Sequence, residues 1–72
     1  MPRLPRLSGR EIVRALERLG FEVVRQRGSH IVLRRDSAGC VVPDHREVKV
    51  GTLAGILKQA CVTADEFLDS LQ

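Results

Sequence analysis

The apolar residues Ile12, Val13, Leu16 and Leu19 fall at i, i+1, i+4 and i+7, the stripe of an amphipathic helix whose other positions are mostly charged. Ahead of them, Ser8-Gly9-Arg10-Glu11 has the spacing of a capping box, in which the serine hydroxyl and the glutamate carboxylate each meet a backbone N–H left free by the first turn. A helix is therefore predicted from about Gly9, with Gly20 as its left-handed stop. The period then shortens. Phe21 to Arg27 and His30 to Arg35 are short runs with β-branched residues, and between them Gly28 can take the positive φ of a tight hairpin. Asp36-Ser37-Ala38-Gly39 has turn composition and returns the chain into Cys40-Val41-Val42, which Pro43 ends because it has no N–H to give a ladder. These runs predict a three-stranded antiparallel meander. Asp44 to Val50 is polar and reads as an irregular connection. Leu53, Ile56, Leu57 and Ala60 restore the helical period from Gly51 or Thr52 onward, although Gly55 inside it costs ~1 kcal/mol relative to alanine. A second capping box, Thr63-Ala64-Asp65-Glu66, precedes Phe67, Leu68 and Leu71 and opens a short third helix.

The predicted order is α-β-β-β-α-α, an α+β domain in which the helices cover one face of the antiparallel sheet and leave the other wet. Residues 1–7 form a lead-in with Pro and Arg, and 8–71 form the folded core of a single domain. A chain of 72 residues buries only about 60% of its unfolded surface, so its stability is expected to be marginal and a bound partner to add to it. Cys40 and Cys61 have no C-x-x-C spacing and suit reduced thiols in the cytoplasm. No apolar h-region follows Arg3 and Arg6, and no window approaches 18 apolar residues, so neither export nor membrane association is expected.

Charge changes the picture through its distribution. The net charge is +3, but up to Arg35 nine Arg face three Glu, a balance of +6, whereas from Asp36 onward three basic residues face six acids. A basic half of this kind suits a nucleic-acid backbone or an acidic protein, and equally an ordinary solvated surface. Arg10, Arg14 and Arg18 recur every four residues on a face of the first helix, where they could track phosphates or simply meet solvent beside Glu17. Phe21 and Phe67 are the only aromatic residues, too few for a base-stacking platform, so RNA binding would rest on phosphate and shape.

The basic half contains the best candidate for chemistry. Gly28-Ser29-His30-Ile31-Val32-Leu33 starts a strand with a histidine at the mouth of the turn. If Ile31 and Leu33 point into the core, alternation puts His30, Val32 and Arg34 on the open face. An imidazole with an ordinary pKa of ~6.5 exchanges protons near neutral pH, and an arginine beside it would hold an anion. That pairing suits phosphodiester chemistry; a solvated edge histidine is the other reading the residues allow.

Gly20-Phe21, Gly28-Ser29-His30, Val42-Pro43-Asp44-His45, and Gly51-Thr52-Leu53 leading into Ile56-Leu57-Lys58-Gln59-Ala60 occur in this order across Ser8 to Leu71. In these landmarks the chain resembles the HicA-type toxins of bacterial and archaeal toxin–antitoxin pairs. The resemblance implies a fold similar to a double-stranded-RNA-binding domain, an mRNA interferase activity, and neutralisation by a HicB-type antitoxin. It also implies that His30 is the essential residue, with Gly28 and Ser29 completing its motif, and that His45 matches a further family position. Two positions depart from the family: Cys61 stands where a glycine helix stop is frequent, and Ala54 where a basic residue is common.

Cleaving RNA without a metal needs one group to take a proton from the attacking oxygen and another to protonate the leaving one. His30 can fill one role; His45, Ser29, water or the substrate itself could fill the other. Arg34, Arg27 or Lys49 could stabilise the developing charge, with Arg10 and Arg14 of the first helix as further candidate RNA contacts. Asp36, Asp44 and Glu47 are scattered over turns, so a two-metal site is not expected and neither is a cofactor. Two rivals stay open from the residues alone: a non-catalytic double-stranded-RNA-binding-like module, and a protein that binds an acidic partner through its arginines.

Overall fold

A computed structural model describes residues 3–71 and shows the expected order: α1 (Gly9–Arg18), β1 (Glu22–Arg27), β2 (His30–Arg35), β3 (Ala38–Pro43), α2 (Val50–Ala60) and α3 (Ala64–Ser70). Both predicted capping boxes form: Ser8 and Glu11 exchange hydrogen bonds at the start of α1, and Thr63 and Glu66 do the same at α3. Helix α1 ends as its sequence suggests. Gly20 takes φ +96, its N–H donates to the Glu17 carbonyl at 3.0 Å and that of Phe21 to the Leu16 carbonyl at 3.0 Å, while Leu16 and Phe21 are both buried. This is the Schellman closure, with its accompanying apolar contact.

The sheet is antiparallel in the order β1-β2-β3. Ile31 and Leu33 of β2 and Cys40 and Val42 of β3 point inward; α1 and α2 pack on that face, and α3 packs against both of them. The β2–β3 turn is tighter than its composition implied. Asp36 adopts φ +52, so Arg35 pairs directly with Ala38 and β3 begins there rather than at Cys40. Aspartate tolerates the left-handed region better than most residues, which permits a two-residue connection. Strand β1 carries an irregularity. Its pairing with β2 runs Glu22 to Arg34 and Val23 to Leu33, then skips Val24 and resumes with Arg25 to Val32, Gln26 to Ile31 and Arg27 to His30.

Among the described residues, sixteen buried apolar residues make one core, with Phe67, Ile12, Leu16, Leu33 and Leu53 as the largest fully enclosed side chains. The connection after β3 is less irregular than expected, because Val48 is buried and its N–H donates to the Leu7 carbonyl at 2.7 Å. Leu4 and Leu7, ahead of the capping serine, also pack on the core. Helix α2 starts one residue before the predicted glycine, and its N-cap, Lys49, makes no side-chain cap. Two arginines are built into the frame: Arg35 donates to the Leu19 carbonyl at 2.8 Å and lies 4.6 Å from the centre of the Phe21 ring, and Arg18 donates to the Ser70 carbonyl at 2.8 Å. Each cation thereby meets carbonyls that a helix end leaves free.

Candidate functional site

The site begins with the β1–β2 hairpin. Gly28, at φ +57, and Ser29 form its two-residue turn, and His30 is the first residue of β2. His30 is exposed. Its cross-strand neighbours are Arg27 on β1 and Pro43 on β3, and residues directly opposite one another share a sheet face. The face away from the helices therefore carries Arg27, His30 and Pro43 at the hairpin end, Arg25, Val32 and Val41 in the next row, and Glu22, Arg34 and Gly39 in the third.

The irregularity at Val24 decides part of this arrangement. Strict alternation from Val23, which pairs with the buried Leu33, would put Arg25 and Arg27 on the helix side. The extra residue shifts the phase by one, so both arginines join His30 on the open face. Arg25 was not among the residues singled out by sequence, because nothing in Glu22-Val23-Val24-Arg25-Gln26-Arg27 marks where a bulge falls.

The turn is braced from behind. Asp44 donates its backbone N–H to the Ser29 carbonyl at 2.6 Å, while its carboxylate accepts from Arg10 at 3.3 Å and from the Gln26 side chain at 3.5 Å. Gln26 also donates to the Gly28 carbonyl at 3.3 Å. Gly9 lets the start of α1 come close enough to complete the brace: its N–H donates to the His45 carbonyl at 2.8 Å, and a Cβ there would overlap the Pro43 carbonyl oxygen. Asp44, which the sequence marks as part of a family landmark and as one of several scattered acids, is thus a positioning element for the hairpin.

The remaining candidates divide. His45 is exposed and lines a shallow hollow with Pro43, Val48, Lys49 and Thr52; since Pro43 pairs with His30, this hollow opens next to the hairpin end. Arg14 lies elsewhere, in a groove between α1 and β1 with Val13, Glu17 and Val23, and Arg10 is engaged by Asp44. The structure therefore brings together His30, Arg27 and Arg34 on one face, sets His45 and Lys49 at its margin, and leaves Arg14 on the helix side. Among the described residues no three His, Cys, Asp or Glu side chains converge as a metal-ligand set, and no helix is long and apolar enough to cross a membrane. Cys40 is a core residue whose thiol burial pushes up to about 11.

The sequence model of the family described as the HicA toxin of bacterial toxin–antitoxin systems matches residues 9–62, three quarters of the chain. The chain belongs to the HicA toxin family. The match runs from the first residue of α1 to the residue after the α2 stop, so it takes in the hairpin, the Asp44 brace and the whole sheet of this HicA toxin. Membership makes it the toxin component of a toxin–antitoxin pair and implies an antitoxin partner. No curated protein matches the chain.

Proposed function

We propose that this HicA toxin is a metal-independent endoribonuclease of the mRNA-interferase type, acting in the cytoplasm and neutralised by a HicB-type antitoxin. The observation that carries the reading is the exposed His30 at the hairpin mouth with Arg27 directly across the ladder on the same face, in a chain of this family; Arg34 shares the face but lies two rows along, about 13 Å from His30 rather than beside it. His30 carries one of the two proton transfers of phosphodiester cleavage, and Arg27, directly across the ladder, stabilises the charge that develops on the phosphoryl oxygens. His45, exposed near the same end, and Ser29 in the turn are the side chains available for the second transfer. The protein's contribution is placement and charge. Cleavage in this way asks for no ligand cluster for a divalent ion; among the described residues the carboxylates are scattered.

The test is cleavage of RNA by purified protein, with and without chelator, for wild type and His30→Ala. An exposed strand-start histidine should be removable within about 0.5 kcal/mol of wild-type stability. Cleavage by wild type that survives EDTA, and its loss in a folded His30→Ala protein together with loss of growth arrest on expression, is the expected result. A folded His30→Ala protein that still cleaves would falsify the assignment of the histidine. RNA bound but not cut by wild type would identify a double-stranded-RNA-binding-like module instead.

A further inference from the structure

We infer that the RNA strand runs along the β1–β2 ladder on the open face, with Arg27 at the phosphate beside His30 and Arg25 holding the neighbouring phosphate. This rests on the ribonuclease reading and adds to it a path and a residue. The first support is geometric. Arg27 and Arg25 are two residues apart on one strand and share a face, which spaces their Cα atoms by about 6.8 Å, close to the step between adjacent phosphates of one nucleic-acid strand. The next row continues the line through Arg34, while Glu22 opposite it closes the far end with a negative charge.

The second support is how the arginines are used. Arg6 is paired with Glu47, Arg10 with Asp44, Arg18 with the Ser70 carbonyl and Arg35 with the Leu19 carbonyl. Among the described residues, Arg3, Arg14, Arg25, Arg27, Arg34 and Arg46 have no side-chain hydrogen bond or ion pair, and of these Arg25, Arg27 and Arg34 are the ones that the strands carry, exposed, on the face of His30. Unpaired guanidinium groups are the ones that can release counterions and grip phosphates. The third support is the bulge, without whose phase shift Arg25 and Arg27 would turn to the other side. The exposed Val24 and Val41 and the half-buried Val32 beside them offer apolar contact but no ring to stack on, so the surface grips the backbone rather than reading bases.

The experiment measures binding of a short unstructured RNA oligonucleotide to the full chain carrying His30→Ala, at several salt concentrations. Arg25→Ala should weaken binding about five- to tenfold and make the log–log salt slope shallower by about 0.7, the value for one lost phosphate contact on a single strand. A second variant, Arg25→Ala with Asp69→Asn, restores the net charge through an exposed residue of α3, in the helix layer across the sheet. It should bind as weakly as Arg25→Ala alone, and Arg25→Lys should recover most of the affinity. Wild-type affinity in the charge-restored variant would mean that net charge alone matters and would overturn the path, as would unchanged binding in Arg25→Ala. These failures are separable from failure of the ribonuclease reading, which shows as wild-type protein that does not cut RNA.

Discussion

Cys61 ends α2 in the left-handed region at φ +58, with its N–H on the Lys58 carbonyl and that of Val62 on the Leu57 carbonyl at 3.0 Å. A side chain in this conformation costs roughly 1–2 kcal/mol, because Cβ crowds the following carbonyl. Glycine would remove that cost but return about 0.4–1 kcal/mol through the freedom it adds to the unfolded chain. Cys61→Gly is therefore expected to stabilise the toxin by about 0.5–1 kcal/mol, a gain of a few degrees in Tm in a domain of this size. Thermal melts under reducing conditions check it, and a Tm that falls would show that the cysteine makes a favourable contact at this stop. Cys61 at the helix stop was implied only by the family resemblance, whereas the placement of His30 at an open strand start was legible in the sequence, because turn residues and alternation act over neighbouring positions. Arg25 was not, since the bulge that turns it outward is set by pairing with β2 and not by any preference within β1. The role of Asp44 was hidden for the same reason: its partners Ser29, Gln26 and Arg10 lie on three other segments.

At the level of elements, the two capping boxes were the most legible features and also make the helices sensitive to acid. At α1 the Ser8 backbone N–H, and then its hydroxyl, hold the Glu11 carboxyl below its ordinary range; at α3 the Thr63 backbone and hydroxyl do the same for Glu66. A carboxyl whose pKa is lower in the folded chain than in the unfolded one stabilises fully above the unfolded value of ~4.3, and this stabilisation is lost as pH falls through the folded value. Glutamine at N3 keeps the bond to the N-cap N–H but cannot titrate. The wild type should therefore lose Tm between about pH 5 and pH 3 more steeply than Glu11→Gln/Glu66→Gln does. Parallel curves for the two proteins would show that the boxes contribute nothing pH-dependent. The helical stripes and the hairpin were readable because each is a periodic or nearest-neighbour signal. The Leu7–Val48 bridge was not, for it joins two aperiodic segments through main-chain groups that any sequence carries.

For the whole molecule, the helices fix one side of the sheet and leave the other open. The excess of arginine up to Arg35 supplies the field of that open side, through Arg25, Arg27 and Arg34. On the proposed function, RNA and an acidic surface of the antitoxin are drawn to the same place, and one face cannot hold both. The accessible surface is 4933 Å², so a standard interface of about 800 Å² per partner covers roughly a sixth of it, enough to mask the hairpin end and the arginine track without any change in the toxin's shape. Inhibition is thus expected to be competitive with RNA. With the His30→Ala toxin, saturating antitoxin should abolish RNA binding, and raising RNA should restore it. Binding should also lift the toxin's stability by mass action, by about 2.7 kcal/mol at an antitoxin concentration a hundredfold above Kd. Added salt should weaken both complexes, the RNA complex in proportion to the phosphates held. A ternary complex in which RNA binds this toxin with undiminished affinity would place the antitoxin on the helical layer and require it to act on the hairpin from behind, through the Asp44 brace.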